Sequence, residues 1–176
     1  MFRSEKFEQE LSRLPLLSYL WIKSKELSFS ERVREICRRE CPMYNKTWSC
    51  PPAVGSVDAC REKCLAYDDA LVICTAGEAS GDLAQTLRAC GPHEAVTREI
   101  ERKMRECGLQ TMVLSAQACT QCEHCTWPDQ PCRHAETVYP CMESHGILVT
   151  ELAEKCGVSF YNENFVTWFS VLFYRS

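Results

Sequence analysis

The chain has no excess of positive charge: 20 lysines and arginines stand against 24 aspartates and glutamates, for a formal net charge of −4. A phosphate backbone is held by a basic field, so nucleic acid is not an expected partner. Long apolar runs are also missing. The longest, such as "ALVICTA", fall far short of the roughly 20 residues that cross a bilayer, and the opening "MFRSEKFEQELSRL" lacks the apolar core of a signal peptide. The chain therefore reads as cytoplasmic and independent of membranes. No Gly/Ser linker, repeat or low-complexity tract divides its 176 residues, and the glycines number only seven. That length suits one domain with a sizeable core and is too short for two large ones. Several catalytic signatures are absent as well. "GEASGD" has the wrong pattern for a phosphate loop, and neither G-x-S-x-G nor H-E-x-x-H occurs.

Cysteine, by contrast, is abundant, with fourteen in the chain. A reducing cytoplasm disfavours structural disulfides, so metal binding becomes the leading use for many of these thiols. Some must still be core residues, because free Cys behaves as a small buried hydrophobe.

Periodicity and breakers outline the organisation. A short amphipathic helix over residues 4–13 ends at Pro15. "LLSYLWIKS" reads as a strand with Tyr19 and Trp21 on one face and Leu20 and Ile22 on the other. Ser28 or Ser30 can cap a helix through "ERVREICRREC" that Pro42 terminates, and Ser56 can cap a second, "VDACREKCLAY". "DALVICTA" is apolar enough to be buried on both faces. "DLAQTLRACGPHEAVTREIERKMREC" is helical with a break at "GPHE", and Gly108 closes it. "TMVLSA" is another buried strand, followed by a long loop over 117–141. A helix near "ESHGILVTELAEKC" with a Gly157 cap and two aromatic-rich strands joined through "NEN" complete the chain.

This order predicts an α/β domain, with α+β as the alternative: a mixed sheet of about four to five strands, packed helices and a long cysteine-rich metal-binding loop. The expected single domain, 1–176, divides into an N-terminal helix and strand (1–29), a first cysteine group (30–64), a βαβ core (65–118), a second cysteine group (119–141) and a C-terminal helix and hairpin (142–176). The loops after "LVICTA" and "TMVLSA" should leave the same edge of the sheet, where open α/β sheets bind ligands.

The second group is Cys119-x2-Cys122-x2-Cys125-x6-Cys132, with Cys141 following after eight intervening residues. Two-residue spacers turn successive thiolates towards one centre, and three in series wrap one face of a cubane. Zinc more often takes two separated pairs, so a [4Fe–4S] cluster leads, with structural zinc and free thiols or disulfides behind it. Pro128 and Pro131 stiffen the return to Cys132.

The first group is Cys37-x3-Cys41-x8-Cys50-Pro51-Pro52. Cys37 and Cys41 share a helix face at i and i+4, and Cys50 can swing back from the loop. Three ligands suit a cluster with one open iron, or a site completed by Cys60, Cys64, Cys141 or a histidine.

Other positions take plainer readings. Cys74 is expected in the core, Cys107 and Cys156 are expected to pack inward, and Cys90 lies in a turn. His93 and His145 are expected on the surface, and His124 and His134 face water or tune a cluster. Tyr44, Trp48, Trp127 and Tyr139 flank the cysteine groups and could shield them from solvent.

Together, "Cys37…Cys41-Pro…Tyr44…Trp48-Ser-Cys50-Pro51-Pro52", "Cys119-x2-Cys122-x2-Cys125-Thr…Pro131-Cys132-Arg133" and "Pro140…Met142-Glu143-Ser144-x-Gly146-Ile147" closely resemble the predicted metal-binding family called domain of unknown function 2284. The resemblance runs from about residue 30 to the end. It implies a small prokaryotic, often anaerobe-associated iron–sulfur protein without a settled activity. Where the family pattern has glycine after Tyr44, this chain has Asn45, which also tolerates a left-handed backbone. Cys60, Cys64 and Cys90 lie outside the pattern.

Three functions are compatible with this reading. An electron-transfer or redox accessory protein would hold one or two [4Fe–4S] clusters and meet a redox partner protein. An iron–sulfur enzyme would use the open iron of the three-cysteine site for sulfur removal or small-substrate activation. A zinc-stabilised binding module would have no redox role.

Overall fold

A computed structural model describes residues 4–78, 90–159, 161–162 and 165–176. The predicted helical stretch over 82–89, and residues 163–164 of the "NEN" connection, lie outside the described residues. The elements are α1 (Glu5–Leu11), β1 (Ser18–Lys23), α2 (Glu31–Glu40), α3 (Val57–Leu65), β2 (Asp69–Glu78), α4 (Gly91–Glu106), β3 (Gln110–Leu114), α5 (Val149–Cys156), β4 (Tyr161–Asn162) and β5 (Phe165–Arg175).

The strands form one sheet in the order β1-β2-β5-β3, with β4 paired to β5. Every strand pairing is antiparallel. The strand number and packed helices are as the sequence indicated and α+β is the alternative realised, but the sheet is antiparallel where a mixed one was expected, because β5 inserts between β2 and β3. β5 lies between β2 and β3 and runs opposite to both, so β2 and β3 point the same way. Their C-terminal ends therefore leave the same edge, although the two strands never touch.

Period-two alternation divides the core in two. Ala70, Val72 and Cys74 of β2 face one cluster with Cys64 of α3 and Leu152 and Ala153 of α5. Leu71 and Ile73 face the other, with Phe7 and Leu11 of α1 and Val96, Ile100 and Met104 of α4. Helices on both faces explain the unbroken apolar run of β2. β1 follows the same rule: Tyr19 and Trp21 pack on the α1/α4 side, Leu20 and Ile22 on the other.

Local chemistry fixes the helix ends. Ser4, Ser30 and Ser56 accept hydrogen bonds from the main-chain N–H of Phe7, Arg32 and Ala59, relieving orphan donors of α1, α2 and α3. Cys41 is extended at ψ 121°, as a residue before proline prefers, which stops α2. Gly108 and Gly157, at φ +82° and +67°, close α4 and α5. In the first, Gly108 N–H donates to Arg105 and Leu109 N–H reaches Met104, a Schellman motif that turns Leu109 inward. Leu109 thereby takes the apolar slot that the sequence assigned to Cys107, and Cys107 is exposed.

Two histidines expected on the surface are buried. His93, 1% exposed, pairs its Nδ1 with Thr75 Oγ1 at 3.0 Å and its Nε2 with Ser170 Oγ at 2.7 Å. Those hydroxyls come from β2 and β5, so the network bonds α4 to the sheet centre. His145, 3% exposed, pairs its Nδ1 with Ser144 Oγ at 3.0 Å. Burial lowers both histidines to about 4.

His93 yields a pH dependence. The folded protein keeps it neutral, whereas the unfolded chain protonates it near the ordinary value of about 6.5. Its contribution is complete above that pH, falls as pH drops towards about 4, and then levels off. Urea titrations across this window should show stability falling by up to about 1.4 kcal/mol per pH unit from this residue. His93→Gln should flatten that part of the slope, and an unchanged slope would contradict the assignment.

Candidate metal centre

Two loops meet beyond the strand ends. The first follows α2 and carries Cys41 and Cys50; the second follows β3 and carries Cys119, Cys122, Cys125 and Cys132. Asn45 turns the first loop with φ +58°, the only positive φ of a non-glycine residue among the described residues. This is the left-handed conformation that Asn tolerates in place of glycine.

Buried Ser49 Oγ accepts a hydrogen bond from Cys119 N–H at 2.9 Å and pairs with Thr47 Oγ1 at 2.9 Å. Trp48 Nε1 donates to Gln130 O at 3.0 Å, and Trp127 Nε1 donates to Asn45 Oδ1 at 2.9 Å. The two indoles meet edge to face with centroids 4.7 Å apart. Each loop thus places a tryptophan on the other, a favourable quadrupole contact.

The interlock encloses a cavity of about 520 Å³ lined by Cys119, Cys122, Cys125 and Cys132 together with Thr47, Trp48 and Ser49. All four cysteines are partly accessible. The N–H of Gln121 points at Cys119 Sγ (3.5 Å) and that of His134 at Cys132 Sγ (3.4 Å). Such bonds stabilise thiolate and tune metal–sulfur centres. His124 is exposed and His134 partly so.

A second thiol group lies beneath. Cys37 and Cys50 are buried, and Cys37 Sγ–H donates to Glu143 O at 3.7 Å. Cys141 enters here because its segment pairs alongside Ser115, just past β3. Ser144 N–H donates to Cys141 Sγ at 3.3 Å. The groups are close enough to act on one another electrostatically. Burial, then Cys41, Glu143 and Cys50, push the Cys37 thiol up to about 11, with Arg34 opposing. Burial first, then Glu143 and Cys50, hold Cys141 well above the ordinary thiol range. Cys50 is raised mainly by burial, with Cys41 and Cys125 adding to it, so the two groups adjoin through Cys50 and Cys125.

Of the candidates to complete the first group, the structure brings Cys141 to it and turns Cys60 and Cys64 away. Cys60 Sγ–H donates to Val54 O at 3.4 Å, and Cys64 packs into the core. Cys90 is also buried. Tyr139 does not flank a cysteine group; its hydroxyl donates to Glu101, and Arg98 lies 4.2 Å over its ring. It therefore pins the end of the cysteine loop to α4.

The sequence reading missed Arg34. Its Nη1 donates to Gly55 O at 2.7 Å and its Nη2 to Ser144 O at 2.5 Å and to Cys60 Sγ at 3.6 Å. One guanidinium thus holds α2, the first loop and the Glu143–His145 turn around the buried thiols. Its place three residues before Cys37, on the same helix face, was the available signal. Gly146, at φ +77°, lets that turn pass α2 and α3: an added Cβ would lie 3.1 Å from Ser30 O and 3.0 Å from Val57 Cγ1.

Among the described residues, no three Cys, His, Asp or Glu side chains converge as tightly as one metal ion requires. Thiolates about 2.3 Å from one zinc would sit within about 4 Å of each other. Here four thiols line a cavity that Glu123, His124 and His134 also border, and the four cysteines, the N–H donors at their sulfurs and the volume fit a multinuclear group. Among the described residues no helix is long and apolar enough to cross a membrane.

A cysteine-rich α+β protein with two adjoining thiol groups is the class these features define. Residues 20–174 match the family described as "Predicted metal-binding protein (DUF2284)", and the chain belongs to that family. No curated protein and no solved structure matches it.

Ser49→Ala should leave Cys119 N–H and Thr47 Oγ1 without their buried partner, at a cost of about 1–3 kcal/mol in denaturant titrations. Limited proteolysis of the variant should cut first within residues 119–141. Unchanged stability and protection would remove Ser49 from its role as the pin between the loops.

Proposed function

We propose that the protein binds two [4Fe–4S] clusters and serves as an electron-transfer or redox accessory protein in the cytoplasm. Cys119, Cys122, Cys125 and Cys132 would hold one cluster, and Cys37, Cys41, Cys50 and Cys141 the other. The observation that carries this reading is the position of Cys141 close to Cys50, in the segment whose Glu143 carbonyl accepts from the Cys37 thiol. A fourth thiol there favours a carrier over a catalyst, because iron with a full set of cysteine ligands has no open position for substrate.

Chemically, such groups supply one-electron storage, with a potential set by hydrogen bonds to sulfur and by solvent access. This chain's residues would divide that setting unevenly. The half-exposed outer group sits under Trp48 and Trp127, whereas the inner group has Cys37 and Cys50 buried, Cys41 exposed, and is held by Arg34 and the Glu143–His145 turn. A redox partner protein would meet the outer group, whose loop lies at the surface.

Metal and sulfide analysis of anaerobically purified protein tests the proposal. Brown protein with about eight irons and eight sulfides per chain is expected from two complete sites. Cys141→Ser should reduce iron to about four, whereas Cys60→Ser should leave it unchanged. Colourless protein carrying stoichiometric zinc would overturn the reading, and full iron retention in Cys141→Ser would remove Cys141 from the ligand set.

A further inference from the structure

Two thiols outside both metal-facing groups are held together on one serine. Cys74 lies on β2, wholly buried, and its Sγ–H donates to Ser18 O at 3.3 Å. Ser18 is the β1 residue directly opposite Cys74 in the sheet register. The hydroxyl of the same Ser18 donates to the carbonyl of Cys156, the last residue of α5, at 3.4 Å. Cys156 is partly accessible and packs against the core cluster that contains Cys74. The two cysteines therefore meet at the same corner between sheet and helix, one reachable from solvent and the other not.

The geometry points to a thiol–disulfide exchange site in which Cys156 is the attacking thiol and Cys74 the resolving thiol, with low-molecular-weight disulfides as the oxidant. It rests on neither the identity nor the presence of a metal. Access sets the order of events, since only Cys156 can be approached. Electrostatics agrees: the neighbouring Cys74 thiol lowers the pKa of Cys156, while Cys156, and then burial, raises that of Cys74. The C-terminal end of α5 disfavours an anion, so the nearby Cys74 thiol is what favours thiolate at Cys156. A thiolate that is both populated and accessible is the reactive form.

The exchange balances without another reagent. The Cys156 thiolate attacks one sulfur of R–S–S–R, that bond breaks, and one RS⁻ leaves while Cys156 carries S–R. Cys74 gives up its proton and attacks the Cys156 sulfur, expelling the second RS⁻. Two protein thiols become one disulfide, one small disulfide becomes two thiols, and the two protons end on the released thiols. A disulfide made this way in a reducing compartment belongs to the transient, redox-responsive kind.

Cys107 supplies an internal reference, because it closes α4 in a similar way but is exposed and has no such thiol partner. The metal-loaded full chain is incubated with glutathione disulfide, alkylated, digested and mapped by mass spectrometry. Wild type should yield a Cys74–Cys156 cross-link. Cys74→Ala should trap at least about tenfold more glutathione on Cys156, because the resolving step is lost, with glutathione on Cys107 equal in both proteins. Stable glutathione on wild-type Cys156 without the cross-link, or equal Cys156 adducts in the two proteins, would overturn the proposal. Should Cys74→Ala fail to fold, the wild-type time course decides: the Cys156 adduct must rise first and decay into the cross-link.

Discussion

The hydrogen bond from Cys119 N–H to the buried Ser49 hydroxyl joins two loops that are seventy residues apart in sequence. Around it the indoles of Trp48 and Trp127 exchange partners, and the wall of the thiol-lined cavity is completed from both sides. A loop as long as 117–141 has a large entropy to lose on ordering. Here the cost is offset by several directional contacts at its start and middle and by the buried Tyr139 at its end. The sheet beneath serves the same arrangement, since β3 delivers the second loop from its edge.

Much of this was legible in the sequence where the deciding interactions are local. Serine caps, prolines after helices and glycines in left-handed turns act within a few residues, and so the starts of α2 and α3 and the C-terminal ends of α2, α4 and α5 could be read directly. The two-residue period separated Tyr19 and Trp21 from Leu20 and Ile22, and the need for a left-handed residue after Tyr44 anticipated the backbone of Asn45.

What could not be read depends on partners distant in sequence. The insertion of β5 between β2 and β3 is set by pairing registers that no local pattern reveals. Burial of His93 depends on hydroxyls supplied by β2 and β5. Cys107 lost its inward place to Leu109 because the Schellman turn re-aims the chain. Cys141 stood on a list of possible fourth ligands, and only its passage beside Ser115 separated it from Cys60 and Cys64. Cysteine spacing identified the outer group almost completely, because all its members lie in one loop. The inner group draws on three separated segments, so spacing alone could not complete it.

The cysteines also divide by environment. Cys37, Cys50 and Cys141 are raised by burial and by the charges around them, an arrangement that deprotonation alone would leave strained and that metal binding relieves by neutralising the thiolates. Cys74 and Cys156 are arranged differently, Cys74 buried with its thiol donating to Ser18 O and Cys156 partly accessible. The most direct test of the central claim is the Mössbauer spectrum of protein purified anaerobically from cells grown on iron-57. The account predicts that all bound iron gives the doublets of tetrahedral, sulfur-ligated [4Fe–4S] centres. Iron in six-coordinate oxygen or nitrogen sites, or protein that binds no iron and carries zinc in the same thiols, would contradict it.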